Sequence, residues 1–324
     1  MTPQERRVLA VLVGLFAAGL LREPPSAGPE RPHPSPRLAG RATLGIIGGS
    51  GPEAGLDLAA KVIEANRRRV LPLRRQADAR PFGDHDAPRF TLLNVPALGL
   101  SMDLAAQKAP VWDALRGAYL ELSAASTPVD VVGVACVTLH YFEPQLLALR
   151  HELRAAGRPA ARLVSAVGAV EARLSARSPL PRSVGLLGSA SAMELGPGGF
   201  SPFRCDDEEE GQGRGVGSRE HCGRWRYELP PPSAREQLEG LIHRVKREGV
   251  AAVRGRQELM LIVEAMDSDV VLLACTELPL LLPTPERDGE GVAGEFVVGS
   301  KTLIDVTMVL AEALADAVLP TGEE

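Results

Sequence analysis

The sequence predicts an α/β protein built from two similar parallel-sheet lobes, and three observations carry that prediction. From Leu44 onward, short apolar runs alternate with stretches of helical periodicity, the pattern of βα units in a parallel sheet. The pattern then starts again. "TLGIIGGSG" at 43–51 resembles "SVGLLGSAS" at 183–191, and "DVVGVAC" at 130–136 resembles "DVVLLAC" at 269–275. Finally, the two matches have almost the same offset: Gly45 and Gly185 stand 140 positions apart, Cys136 and Cys275 139. Apolar runs before glycine are common, but two independent pairs at nearly one offset indicate a duplicated unit. A chain of 324 residues is long enough to give each copy its own core.

The elements follow in order. Leu44 opens a short buried strand that ends in the Gly48–Pro52 turn, and Pro52 suits the first turn of a helix. Leu56, Ala59, Ala60 and Ile63 recur on one face of that helix. "RFTLLNVP" is a second strand, "APVWDALRGAYLELSAAS" a helix, and "VDVVGVAC" a third strand. "EPQLLALRHELRAAG" is helical and stops at Gly157, and "RLVSAVGAVEARLSARS" joins a strand to a helix. After the repeat begins, 196–232 is rich in Gly, Pro and charge, the composition of a surface insertion. "SAREQLEGLIHRVKREG" is helical, with Ser233 and Glu236 spaced as a capping box. A further helix leads to the second cysteine strand. The chain closes as strand then helix, with Leu303, Val306, Leu310 and Leu314 on one face. The expected domains are a first lobe over 43–160, with a C-terminal helix over 302–318 packing on it, and a second lobe over 161–300 with its insertion near 197–232.

Residues 1–42 stand apart. A polar start with two arginines precedes "VLAVLVGLFAAGLL", too short for a spanning helix but the length of a signal-peptide apolar region. The Pro- and Arg-rich stretch that follows cannot bury a core. Residues 1–42 are therefore expected to be a targeting segment and linker, for an organelle or for secretory entry, ahead of a soluble domain that does not span a membrane.

Composition narrows function. A net charge of -5 and a pI of about 5.8 give no nucleic-acid signature, and the arginines at 67–69 and 74–75 suit a solvated helix end. Four cysteines show no metal-ligand spacing and form no disulfide framework; Cys205, His221 and Cys222 lie in the Gly-rich stretch without a metal-site pattern. "GGSG" lacks the G-x-G-x-x-G of a dinucleotide turn, and no lysine sits in a pyridoxal-phosphate context. No metal and no cofactor are expected.

Cys136 and Cys275 carry the chemistry. Ligands of parallel α/β sheets bind at the carboxyl ends of strands, where both cysteines fall. Two such strand ends facing each other would put one thiol on each side of a substrate. Opposed thiols can invert a carbon bearing an acidic hydrogen, one removing a proton from one face while the other supplies a proton to the opposite face. An ordinary thiol pKa near 8.5 brings both protonation states within reach of neutral pH. Against this stands the ordinary use of cysteine as a small buried hydrophobe.

The motifs then meet a known family. Gly48-Gly49-Ser50-Gly51-Pro52 after the first strand, Cys136-Val137-Thr138-Leu139-His140, Cys275-Thr276-Glu277 and Leu303-Ile304-Asp305 resemble, in order, the motifs of the aspartate/glutamate racemase superfamily, aspartate racemase branch. The resemblance runs from Thr43 to Val318, apart from the insertion. It implies two lobes related by a pseudo-twofold axis with a cleft between them, and racemisation of an acidic amino acid without pyridoxal phosphate, often by a homodimer. It implies Cys136 and Cys275 as the acid/base pair, with Gly49, Ser50, Val137 through its backbone, Thr138, Lys246 and Thr276 holding the small-molecule substrate. His140 either orients the Cys136 thiolate or caps the next helix. Glu277 either meets substrate or serves a helix start. Two positions depart from the pattern: Val137 replaces an asparagine, and Ser101 falls where the aspartate racemases carry a carboxylate-clamping arginine. The alternatives are another isomerase of the same architecture, hydantoin racemase-like or maleate isomerase-like, or a non-catalytic amino-acid-binding protein.

Overall fold

A computed structural model of the chain describes residues 41–77, 82–204, 225–251, 253–283 and 292–319. Residues 1–40 of the expected targeting segment and linker, with Cys205, His221 and Cys222, lie outside the described residues, whereas its last two residues, 41 and 42, belong to the fold.

Two sheets organise the described chain. The first contains β1 (Leu44–Gly48), β2 (Phe90–Asn94), β3 (Val131–Val134) and β4 (Arg162–Leu163), in the order β2-β1-β3-β4, all parallel. The second contains β5 (Val184–Leu187), β6 (Tyr227–Glu228), β7 (Val270–Leu273), β8 (Glu295–Val298) and β9 (Lys301–Asp305), in the order β6-β5-β7-β9-β8. Its pairings are parallel except for the β8–β9 hairpin. The central strands β1, β3, β5 and β7 are buried along their whole length. That is why they read as unbroken apolar runs rather than alternating ones: helices cover both faces of a parallel sheet.

The helices are α1 (Ala54–Ala77), α2 (Leu104–Ala124), α3 (Glu143–Ala155), α4 (Ala166–Ser175), α5 (Pro232–Glu248), α6 (Arg256–Glu264), the short α7 (Glu277–Leu280) and α8 (Val306–Val318). None among the described residues is long and apolar enough to cross a membrane. One buried apolar cluster joins Leu44, Ile46 and Val131 of the first sheet to Leu186, Leu272 and Ile304 of the second. Helix α8 belongs to it through Leu310 and Leu314. It lies against α1, where Arg69 pairs with Asp316 at 2.6 Å, and over Gly133 of β3, where a Cβ would meet Leu314 at 2.6 Å. The Ala42 amide also donates to the Val318 carbonyl, tying the last helix to the entry of β1.

Several expectations from sequence need correction. Helix α1 buries Leu58, Val62 and Ala65 together with the expected Ala59, whereas Leu56 is 62% exposed and Ala60 is exposed; the apolar positions fit two overlapping faces, and packing turned the helix toward the other one. Pro52 lies in the turn before α1 and not within its first turn. Helix α2 starts at Leu104, five residues before the expected Ala109, because the Asp103 carboxylate accepts from the Ala106 amide. Ser233 is no cap: α5 begins at Pro232, after Pro231. Leu303 belongs to β9, not to the last helix. Gly299, at φ 60, turns the β8–β9 hairpin, and Asp305 starts α8 by accepting from the Met308 amide. The flanks of the 197–232 segment are part of the fold, since Phe203 is buried in the core, Trp225 packs on it and Tyr227 sits in β6.

Candidate active site

The two cysteines stand in matching backbone settings. After β3 the Ala135 amide donates to the Ile47 carbonyl at 2.9 Å; after β7 the Ala274 amide donates to the Leu187 carbonyl at 2.7 Å. Each pairing extends the sheet by one residue and delivers the next residue, Cys136 or Cys275, at the strand's carboxyl end. Each cysteine carbonyl then starts a turn, accepting from Leu139 at 3.2 Å and from Leu278 at 3.1 Å. Both thiols are free. Cys275 is buried and Cys136 partly exposed. The two interact electrostatically with each other and with Lys246 of α5, so side chains far apart in sequence gather at one place.

Glu277 is the hub of that place. Its Oε2 accepts from the Cys275 thiol at 2.9 Å and from the Thr276 hydroxyl at 2.9 Å. Its Oε1 faces Lys246 Nζ at 3.5 Å. Burial first, and then the Glu277 charge, push the Cys275 thiol well above the ordinary cysteine range, although Lys246 pulls the other way. Cys275 is therefore held as a neutral thiol with its hydrogen directed at a carboxylate. Burial also pulls the Lys246 ammonium down, but Cys275, Glu277 and Cys136 together outweigh it and leave the group above the usual lysine range.

The glycine loop after β1 completes this side. Gly49 and Gly51 have φ of 116 and 106, values that side-chain-bearing residues rarely adopt. A Cβ at Gly49 would lie 2.1 Å from the Val95 carbonyl oxygen, and one at Gly51 2.5 Å from Glu277 Oε1. The loop can thus lie flat on Glu277 only as glycine. Its Ser50 carbonyl accepts from Lys246 at 3.5 Å, and the buried Ser50 hydroxyl pairs with that of Ser101 at 2.6 Å.

On the other side, Thr138 shares a 3.0 Å hydrogen bond with Ser189, which follows β5. The Ser189 hydroxyl also accepts from the Ala192 amide. Sequence reasoning missed Ser189, although it stands 139 positions after Ser50, the offset that relates the cysteines. It also missed the ion pairs of Lys61 with Asp57 at 2.5 Å and Asp305 at 2.8 Å, of which Asp57 acts electrostatically on Glu277.

Val137 turns its side chain into the core, leaving only its backbone at the turn. His140 gives the next helix no capping hydrogen bond, although its Nδ1 lies 3.5 Å from Oε2 of Glu143, the first residue of α3. Its Nε2 donates to the Val134 carbonyl at 3.2 Å and its Nδ1 accepts from the Ala166 amide at 3.4 Å, so it ties the turn to β3 and to the start of α4. Glu277 serves a helix start, opening α7, and its carboxylate also binds Cys275 and Lys246. No cluster of potential metal ligands occurs among the described residues. Two open surface depressions lie elsewhere, one between α2 and α3 near Arg116 and Leu149, one along α6 near Met260. Neither is lined by a cysteine.

The arrangement is that of an α/β protein with paired thiols at sheet ends, and solved structures share its fold. A Picrophilus torridus aspartate racemase superposes with a TM-score of 0.55 at 18% identity, covering 86% of this chain and 94% of that one. A Yersinia pestis protein provisionally named an Asp/Glu racemase superposes with a TM-score of 0.53 at 19% identity, covering 86% of this chain and 100% of that one. No family model and no curated protein matches the sequence.

Proposed function

We propose that the chain is a cofactor-independent amino-acid racemase in which Cys136 and Cys275 are opposed acid/base residues. The observation that carries the reading is the pair of free thiols at equivalent strand ends, electrostatically coupled around Lys246 and Glu277. The fold shared with aspartate racemase structures supports it. In one direction the Cys136 thiolate takes the α-hydrogen, the C–H electron pair passes into the α-carbon and its carboxylate, and the Cys275 thiol returns a proton to the opposite face. The two sulfurs end with their protonation states exchanged, so the reverse reaction uses the same groups in swapped roles. In this reading Lys246 and the hydroxyls of Thr138 and Thr276, the last on leaving Glu277, hold the carboxylate that bears the developing charge. In the direction written, Glu277 favours the protonated, donating form of Cys275 by accepting its hydrogen.

The test uses the full chain, reduced, in deuterium oxide with a panel of L-amino acids, read by chiral chromatography and mass spectrometry. Deuterated D-product is expected from at least one amino acid. Cys136→Ser and Cys275→Ser should each lower its formation by about 10²-fold or more, with unchanged circular dichroism. A single variant that keeps racemising within about tenfold of wild type would falsify the two-thiol mechanism.

A further inference from the structure

Each cysteine turn meets the loop that follows a strand of the other sheet. The glycine loop after β1 lies on Glu277, two residues after Cys275. The loop after β5 brings Ser189 to Thr138, two residues after Cys136. Ser50 and Ser189 are 139 positions apart, as the cysteines are. Ser189 thus occupies a duplicated position and faces the Cys136 turn.

The Thr138–Ser189 pair has a hydrogen to spare. Each hydroxyl carries one hydrogen and two lone pairs. The two share one hydrogen bond of 3.0 Å. The Ser189 oxygen also accepts from the Ala192 amide at 3.3 Å, and neither hydroxyl has a further partner among the described residues. Two hydrogens are present and one is placed. Both groups are buried, at 4% exposure for Thr138 and 1% for Ser189, and a buried polar hydrogen calls for an acceptor.

The direction of the bond follows from its surroundings. Ser189 is enclosed by its own turn, where its carbonyl takes the Met193 amide at 3.1 Å while its hydroxyl takes that of Ala192. A hydroxyl that accepts from an N–H becomes a better donor, so the favoured chain runs from the Ala192 amide to Ser189 and from Ser189 to the Thr138 oxygen. The spare hydrogen is then that of Thr138, which lies next but one to the partly exposed Cys136. Thr276 differs, because its hydrogen goes to Glu277 Oε2 at 2.9 Å. Resting on the racemase reading, we propose that Ser189 is a positioning residue: by donating to Thr138 it turns the Thr138 hydrogen toward the substrate carboxylate.

The full-length reduced protein is assayed in deuterium oxide with L-aspartate, L-glutamate, L-alanine and L-serine, and steady-state constants are taken for the one that exchanges its α-hydrogen fastest. Ser189→Ala should lower kcat/KM about tenfold, with a raised KM. Loss of folded protein alone would lower kcat and leave KM unmoved. Ser189→Cys, whose thiol donates weakly, should behave alike and serves where the alanine variant fails to fold. Thr138→Val should cost at least as much. Adding Ser189→Ala to it should change kcat/KM by less than about twofold, because the hydrogen to be aimed is gone. Ser189 variants within about twofold of wild type, an unmoved KM, or a full further loss in the Thr138→Val background overturns the proposal and leaves the racemase reading intact. If none of the four exchanges, the racemase reading falls and occupancy decides. The same amino acids are then tested for protection of Cys136 against iodoacetamide, read by peptide mass spectrometry. Ser189→Ala should raise the protecting concentration about tenfold; an unraised one overturns the proposal. Neither exchange nor protection removes both.

Discussion

Replacing Lys61 by methionine tests the charge arrangement behind the site. The lysine side chain is 17% exposed, and its ammonium lies 2.5 Å from Asp57 and 2.8 Å from Asp305. At an effective dielectric constant of about 20, each contact is worth about 6 kcal/mol of attraction, most of it offset by the cost of taking the ions out of water. Methionine keeps the volume but leaves two carboxylates facing each other without a counter-ion. Breaking such a buried set typically costs about 3–5 kcal/mol, and that is the loss expected in urea unfolding followed by circular dichroism. The double variant Lys61→Met/Asp57→Asn should recover part of it by removing the repulsion. Burial pulls the Lys61 ammonium down, but Asp305 and Asp57 overcome it and leave the group above the usual lysine value. A raised lysine stabilises the fold fully below its unfolded pKa of about 10.4 and loses that contribution as pH climbs through the folded value. The deficit of the methionine variant should therefore be undiminished at neutral pH and shrink only in the alkaline range. A loss below about 1 kcal/mol at neutral pH, or a double variant no better than the single, would refute the reasoning.

Other outcomes follow from the same geometry. Gly51→Ala places a methyl group against Glu277 Oε1 at a φ of 106; it should cost about 1–3 kcal/mol of stability and lower substrate turnover more than any loss of folded protein explains. Turnover that tracks the folded fraction alone counts against contact between the loop and Glu277. In a Cys136→Ser background, Glu277→Gln removes the charge that, after burial, holds the Cys275 thiol up, so alkylation of Cys275 should begin at lower pH; an onset unmoved or moved upward contradicts the assignment.

The parts of the site legible in sequence were those with distinctive chemistry on strongly patterned strands. Cys136 and Cys275 announced themselves because a thiol at the end of a buried run is unusual and the offset repeated it. Ser189 carried the same offset from Ser50, but a serine beside a glycine turn has no signature of its own until its hydroxyl is seen on Thr138. Lys61 on a helix reads as a solvated charge; only the return of the chain at Asp305 buries it. Leu303 fits the helical period of the residues after it, and the sheet claimed it because β7 needed a neighbour on its open edge. Propensity and period set each segment's type, while packing across the sheets decided which face and which end.

The placement of α8 bears on how the protein is made. The helix that closes over α1 and Gly133 of β3 follows every strand of both sheets in chain order. A ribosome releases it after every strand of both sheets, so the first half emerges with an apolar groove that nothing yet fills. We expect a nascent chain halted at Asp305 to stay open to protease in its first half as well as its second, and a protected first half on stalled ribosomes would contradict this. Translation itself then acts as the timer: the earliest strands wait for α8 to be read.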